Sequence, residues 1–352
     1  MSKKRVAVAL SGGVDSSTAA LLLKEAGYDV MGITMRLYPK EEPPRGKQRH
    51  TCPSNIRDAE LVCQTLGIPF HLIDLEKEFK QYVIDYFCQE YAKGRTPNPC
   101  IACNRHIKFG FLLDHALVLD SDYLATGHYA GIEYYKDAYH LLKGVDPDKD
   151  QSYMLYTLGQ EKLSRILFPL GNYLKADVQV MARQKGLPTA GKPSSQDICF
   201  IASDYGAFLS QQFTPTPGEI VNSRGEVLGR HKGTTFYTVG QRHGLGLATA
   251  EPLYVTKIEP DKNQLIVGSK EDLYCPRLTA TELRWISGKT PPKPMTLTVK
   301  IRYRSPEVAA TIHPGPDSIE VSFHQPQPAI TPGQAVVFYQ DNEVLGGGTI
   351  AN

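Results

Sequence analysis

The sequence lacks any apolar run of about 18 residues or more, which argues against a membrane-spanning helix. It also lacks a signal-peptide core: the first apolar run, Val6 to Leu10, opens directly into a glycine turn. A cytoplasmic location with no membrane partner is therefore expected, and thiols stay reduced there. Charge of one sign is scarce as well. The net charge is +2, so a nucleic-acid partner must be gripped by local patches. Cysteine is too sparse for a secreted disulfide scaffold, and its count of seven is odd. There is no long internal repeat and no low-complexity tract.

What is present is an ordinary globular composition, 41% apolar and 22% charged. At roughly 150 residues per domain, 352 residues suggest two or three domains. Cysteine and proline divide the chain. Cys52, Cys63, Cys88, Cys100, Cys103 and Cys199 lie before residue 210, and only Cys275 follows. Eleven prolines lie in residues 1–210 and fourteen in the remaining 142.

The first part alternates strand-like and helix-like segments: strands at Arg5–Leu10, Asp29–Met35, Ile68–Ile73 and Tyr123–Thr126, helices at Val14–Glu25, about 54–66 (with Ser54 as N-cap), 76–92 and 104–119. A polar, proline-rich loop is expected over Pro39–Pro53. This alternation predicts an α/β domain with a doubly wound parallel sheet, whose ligands bind at the carboxyl ends of the strands. From Pro215 short strands are expected at Glu219–Val221, Val227–Leu228, Thr235–Val239, Pro252–Ile258 and Gln264–Val267. After Cys275–Pro276, five further strands begin with the period-two segment Thr296–Tyr303 and suggest a small barrel. The expected domains are residues 1–205, a small β-rich central domain over 206–272, and a C-terminal β-barrel over 273–352.

The strongest single motif is Ser11-Gly12-Gly13-Val14-Asp15-Ser16-Ser17, between a strand and a helix. The glycines let backbone N–H groups approach an anion, and the helix N-terminus adds unpaired donors. The hydroxyls of Ser11, Ser16 and Ser17 can donate to phosphate oxygens. Asp15 is out of place in an anion site unless it holds Mg²⁺ carried by nucleotide phosphates. The Gly-Lys-Ser/Thr ending of a Walker A loop is absent, and so is G-x-G-x-x-G spacing. The motif resembles the PP-loop of ATP pyrophosphatases, which cleave ATP between the α and β phosphates and adenylate a substrate oxygen. Amide-forming synthetases and tRNA sulfurtransferases share it.

A second constellation is Thr96-Pro97-Asn98-Pro99-Cys100-Ile101-Ala102-Cys103-Asn104. Residues 92–110 hold Lys93, Arg95, Arg105 and Lys108 and no acid, an electropositive floor for RNA phosphate. With Asn104 as an N-cap, the helix dipole and these cations would favour a thiolate at Cys103. Three readings stand side by side. Cys100 and Cys103 are small buried hydrophobes. Or Cys100-x₂-Cys103-x₂-His106 binds zinc. Or Cys103 works with Cys199, 96 residues on, in redox or sulfur chemistry.

The ordered set SGGVDSS (11–17), GRTPNPCIACNRHIKFG (94–110), ATGHYA (125–130), DKDQSYMLY (148–156), KPSSQDICFI (192–201), GQRHGLG (240–246), IRYR (301–304) and PGQAVVFY (332–339) resembles the tRNA-specific 2-thiouridylases, the bacterial MnmA/TrmU family. The resemblance spans the whole chain. It implies a tRNA-uridine 2-sulfurtransferase acting on the wobble uridine (position 34) of the tRNAs for Lys, Glu and Gln, through an adenylated uridine and a cysteine persulfide. Its partners would be a tRNA anticodon stem-loop and a persulfide sulfur donor protein, with no role for DNA. It implies an ATP site at Ala9, Leu10, Ser11, Gly12, Gly13, Val14, Asp15 and Ser16, with Met35 and Gly127 near the adenine and ribose. Cys103 matches the nucleophile and Cys199 the persulfide carrier, and a Cys103–Cys199 disulfide would form in turnover and need reduction. Asn98, Pro99 and Cys100 would line the target base. His128, Lys149, Asp150, Gln151, Arg302, Tyr303 and Gln334 match tRNA-contacting positions.

One position departs from the family. Many members carry aspartate where this chain has Cys100, and the ordinary thiol pKa of about 8.5 prevents cysteine from inheriting a carboxylate's role. With Cys103 and Cys199 it would complete three thiolates, the number that holds a [4Fe–4S] cluster in some related tRNA thiolases. The expected cofactors are ATP and Mg²⁺, with the cluster as the alternative. The rival classes are an amide-forming synthetase, which leaves the cysteines unused, and a binding module, which releases no pyrophosphate. Cys52, Cys63, Cys88 and Cys275 are read as structural.

Overall fold

The computed structural model describes residues 3–38, 53–192, 198–201 and 205–352. The loop expected before Pro53, Cys52, and Ser194 to Asp197 of the Cys199 motif lie outside the described residues.

The first part of the chain is built on β1 (Arg5–Ala9), β2 (Asp29–Arg36), β3 (Phe70–Asp74) and β4 (Tyr123–Ala125), then a hairpin of β5 (Ala130–Tyr135) and β6 (Ala138–Lys143), then β7 (Ile166–Leu167). One parallel sheet takes five of these in the order 3-2-1-4-7. Val6 and Val8 of β1 face one side, with helix α1 (Val14–Glu25), helix α2 (Pro53–Leu66) and helix Lys175–Gln184. Ala7 faces the other side, against the 76–92 and 99–118 helices. A strand buried on both faces reads as a continuous apolar run. Each fully buried Val, Leu or Ile contributes about 1.5–3 kcal/mol.

Three local expectations are corrected here. Helix α2 starts at Pro53, so Ser54 lies inside its first turn and does not cap it. Helix 99–118 starts five residues before the expected Asn104. Its cap is Asn98, whose Oδ1 accepts from the Cys100 N–H at 3.1 Å, with proline in the first turn. Asn104 is buried within the helix and donates from Nδ2 to the Met154 carbonyl at 3.0 Å.

The central sheet is β8 (Gly218–Val221), β9 (Val227–His231), β10 (Tyr254–Glu259) and β11 (Gln264–Gly268), in the order 10-11-8-9. Thr235–Val239 is not a strand. Phe236 and Tyr237 are both buried, which a half-solvated strand does not allow, and a tight turn at Thr234–Phe236 achieves it.

The last part is an antiparallel barrel of six strands: β12 (Tyr274–Trp285), β13 (Met295–Lys300), β14 (Val308–Pro314), β15 (Ile319–Pro328), β16 (Ala335–Gln340) and β17 (Glu343–Ile350). The order 12-15-14-13-16-17 closes through β12–β17 pairing and so leaves no open edge. Five strands were expected. The sixth, β12, escapes period-two reading because its register shifts twice, between Cys275 and Arg277 and between Thr281 and Arg284. β17 also pairs with β6, which ties the first domain's hairpin to the barrel. Among the described residues, no helix is long and apolar enough to cross a membrane.

Candidate active site

Strands β1, β2 and β4 run parallel and end at one edge of the sheet. β1 delivers the glycine turn, β2 delivers Tyr38, and β4 delivers Thr126, Gly127 and His128. The turn is held by its own side chains. Ser16 Oγ accepts from the Ser11 N–H at 3.1 Å and donates to the Gly13 carbonyl at 3.1 Å. Ser17 is fully buried and donates to Gly13 at 2.8 Å, so its hydroxyl is not turned toward a ligand as expected. Gly12 has φ +71°, and a Cβ there would stand 2.4 Å from the Asn55 carbonyl oxygen. Gly127 lies against the turn from the β4 side, where a Cβ would meet Ser16 N at 2.8 Å.

Two lysines that carried no assigned role stand on this turn. Lys175 Nζ lies 2.5 Å from Asp15 Oδ1, which also accepts from Tyr129 Oη at 2.8 Å. Burial, reinforced by Asp15, holds the Tyr129 hydroxyl protonated. Lys192 donates to the Gly12 carbonyl at 3.0 Å and to Asn55 Oδ1 at 3.1 Å, and it pairs with Asp58. The motif's acid is therefore balanced by a buried ammonium, and a second cation rests on the turn itself. No sequence signal singled out Lys175. Lys192 fell inside a quoted motif without a task.

The thiols converge next to this edge. Cys103 and Cys199 interact electrostatically despite their separation in sequence, and Cys100 acts on both. Tyr38 Oη donates to Cys199 Sγ at 3.7 Å. The neighbouring Phe200 is 2% exposed and anchors this segment by edge contacts to Phe79, Phe87 and Phe208, with centroids at 6.1, 5.2 and 5.3 Å. Cys100 has an exposed surface, yet burial among its neighbours still raises its pKa, against an opposing effect of Lys108.

The expected Cys103 thiolate is corrected. Cys103 follows the first turn of its helix and is 9% exposed. Burial pushes its thiol up to about 12, against a smaller opposing effect of Lys108. Burial pushes Cys199 up to about 11, with Cys100 adding and Tyr38 and Lys108 opposing. At neutral pH both are thiols in this state.

Lys108 is the cation common to all three sulfurs. Its Nζ lies 3.4 Å from Nε2 of His128, whose Nδ1 is 2.7 Å from Thr126 Oγ1. His128 is 7% exposed, and its pKa is lowered first by burial and then by Lys108. It is neutral and inside the protein, not on a surface where the resemblance would place an RNA contact. His106 stacks on Tyr82 at 5.0 Å in a cleft beside Arg105 and Tyr156. Among the described residues no three Cys, His, Asp or Glu side chains are grouped to hold a metal ion. This arrangement gives no support to the zinc reading of Cys100, Cys103 and His106 or to the [4Fe–4S] reading of the three cysteines.

The remaining expected residues are placed as follows. Asn98 caps the helix and donates from Nδ2 to Met154 Sδ at 3.4 Å, and Pro99 is buried. Gln334 donates to the Thr96 carbonyl at 2.8 Å, while the Thr96 N–H donates to Pro332 at 2.8 Å, so the barrel clamps the segment leading to Cys100. Tyr303 packs on Tyr153 at 6.1 Å. Arg302 donates to the Pro328 and Ala329 carbonyls, each at 2.7 Å. Asp150 accepts from Gly144 and Ser152, and Gln151 accepts from the Tyr129 N–H at 3.0 Å. Lys149 is half-buried beside them. Met35 lies one residue from the end of β2.

Comparison with known proteins gives a consistent match. Residues 4–203 match the tRNA methyl transferase HUP domain, 206–269 the tRNA methyl transferase PRC-barrel domain, and 276–350 the aminomethyltransferase β-barrel domain. The tRNA-specific 2-thiouridylase MnmA of Natranaerobius thermophilus is 49% identical, covering 99% of this chain and 98% of the relative. MnmA 1 of Syntrophus aciditrophicus is 51% identical, covering 99% and 93%. A solved 4-thiouridine synthetase–RNA complex with bound ATP overlaps 56% of this chain and 45% of its own, at 18% identity and TM-score 0.37.

Proposed function

The chain belongs to the tRNA-specific 2-thiouridylase (MnmA) family, and on that premise we propose that it replaces the C2 oxygen of the wobble uridine of tRNA with sulfur, using ATP. The observation that supports this reading is that a glycine-rich strand-to-helix turn flanked by two lysines stands at the sheet edge beside which Cys103 and Cys199 meet.

The C2 oxygen attacks the α-phosphate, pyrophosphate departs, and a poor leaving oxygen becomes the phosphate ester of AMP. The turn's N–H groups and Lys192 stabilise charge on the departing pyrophosphate. Lys192 is suited to this because its present acceptors are the Gly12 carbonyl and the Asn55 and Asp58 side chains, which a phosphate can replace. Nucleotide-borne Mg²⁺ needs few protein carboxylates, and Asp15 would hold it. Such an ion would neutralise phosphate charge.

In the sulfur half, Cys199 receives sulfur as a persulfide from an external donor protein. Its terminal sulfur attacks C2 and AMP leaves. Cys103 then attacks Cys199 Sγ, which releases thiouridine and leaves a Cys103–Cys199 disulfide. A two-electron reductant restores both thiols. If Cys103 attacks first, the freed sulfide attacks C2 and the same disulfide results. Asn98, Pro99 and Cys100 would face the base, which must be splayed from the anticodon loop to reach them. The tRNAs for Lys, Glu and Gln are the substrates this reading expects.

Reaction of the protein with ATP, tRNA and a persulfide donor, followed by mass spectrometry of the nucleosides, tests the proposal. 2-Thiouridine should form with wild type and not with Cys199→Ser, while tRNA binding persists. Thiouridine formation by Cys199→Ser from the persulfide donor would refute the assignment.

A further inference from the structure

Among the described residues, one cation and no carboxylate act on the three thiols of this recess. That cation, Lys108, lies on the same helix as Cys100 and Cys103, eight and five residues further on. Its Nζ meets a histidine that cannot take its charge. His128 is buried between Phe109 and Phe168, with ring centroids at 5.8 Å from each. An ammonium can only donate, so the neutral ring accepts from Lys108 at Nε2 and carries its proton on Nδ1, which faces Thr126 Oγ1. A neutral acceptor orients the ammonium without neutralising it, whereas a carboxylate in that place would cancel the field at the sulfurs.

We propose that Lys108, oriented by His128, is the positioning residue that stabilises negative sulfur in this recess: the Cys103 thiolate as it attacks, and the anionic terminal sulfur of a Cys199 persulfide. The need is physical. Burial holds both thiols protonated, and the reaction requires anionic sulfur. Tyr38 stabilises Cys199 only by a hydroxyl hydrogen bond. Tyr303, on the barrel side, feels Cys100, Asp150 and Arg304 but carries no charge of its own at neutral pH. The resulting division of labour is that Lys192 serves the phosphates, Lys175 balances Asp15, and Lys108 serves the sulfurs. This inference rests on the thiolation reading, but its test does not require thiolation.

The test is the rate of iodoacetamide alkylation of Cys103 and Cys199 in the full chain, followed by peptide mass spectrometry between about pH 7 and pH 10. Wild type, Lys108→Met and Lys108→Arg are compared. Lys108→Met should alkylate roughly tenfold more slowly at about pH 8, with its pH profile moved upward, while Lys108→Arg stays close to wild type. A loosened fold would expose the thiols and speed their reaction, the opposite sign, and Lys108→Arg then serves as the folded comparison. Equal rates and equal pH profiles in all three proteins would overturn the assignment. Loss of thiolation in Lys108→Met with unchanged alkylation would also overturn it and leave the thiolation reading standing. Slowed alkylation in a protein that never thiolates tRNA would support Lys108 and sink the thiolation reading instead.

Discussion

Gly127→Ala adds one methyl group at the point where the end of β4 touches the glycine turn. The added Cβ would stand 2.8 Å from Ser16 N, 2.8 Å from Asp15 C and 3.1 Å from Asp15 Cβ. An ordinary carbon contact begins near 3.5 Å, so the turn must retreat by more than half an ångström. The obstacles nearest the methyl are backbone atoms, which cannot rotate away as a side-chain tip can. Overpacking of this kind costs about 1–3 kcal/mol. The backbone displaced carries the N–H groups proposed to bind phosphate, so the penalty should appear in ATP use. We expect the ATP dependence of pyrophosphate release to weaken by roughly 5- to 150-fold in kcat/KM, since each 1.4 kcal/mol is tenfold. The tRNA affinity should change little. Gly159→Ala is the control: its φ is −108° and, among the described residues, nothing lies within 4 Å of an added Cβ. A Gly127→Ala enzyme with wild-type ATP kinetics and melting temperature would refute the reasoning that this close approach shapes the nucleotide site.

Lys192→Ala should slow pyrophosphate release and raise the ATP KM, with Lys192→Arg recovering part of the rate; unchanged steady-state kinetics would remove Lys192 from the phosphate site. Arg302→Ala should lower stability by about 1–3 kcal/mol, because the Pro328 and Ala329 carbonyls lose a charged donor, and urea denaturation reads this. A variant that loses only tRNA affinity would show that Arg302 leaves those carbonyls to grip RNA. For thiol titration the sign follows from the raised pKa values. Cys63, Cys103 and Cys199 are acids held protonated by burial, at about 12, 12 and 11. The unfolded chain ionises first near pH 8.5 to 9, so their contribution to stability is complete below that range and is lost as pH rises toward 11 to 12. Thermal melts at rising alkaline pH should show a decline that Cys63→Ala makes shallower, beyond its own cavity cost; parallel profiles would contradict this.

Helix α1 was legible to the residue because Gly13 and Gly27 bracket an apolar stretch, and β1 because both of its faces are buried. The glycine turn was legible because strand, turn and helix are contiguous. What failed had non-local causes. Asn98 and Asn104 are both good caps in isolation, and the choice is set by Met154, which draws Asn104 into the interior. The thiolate expected at Cys103 overlooked burial contributed by residues remote in sequence, which outweighs the nearby cations. The hairpin of β5 and β6 was not anticipated, since its partner β17 lies some 200 residues away. Lys175 and Lys192 belong to this group too: a single lysine carries no pattern until Asp15 and Gly12 are placed beside it. Cys103 and Cys199 could be paired by resemblance, but only the folded chain puts them in one recess.

The central claim is that Cys199 carries the sulfur and Cys103 resolves it. Its most direct test is non-reducing peptide mapping after a single turnover of persulfide-loaded enzyme with ATP and tRNA, without reductant. The account predicts a Cys103–Cys199 disulfide formed in step with thiouridine and pyrophosphate, one of each per active site. Thiouridine at full yield with Cys103 and Cys199 both recovered as free thiols would contradict it.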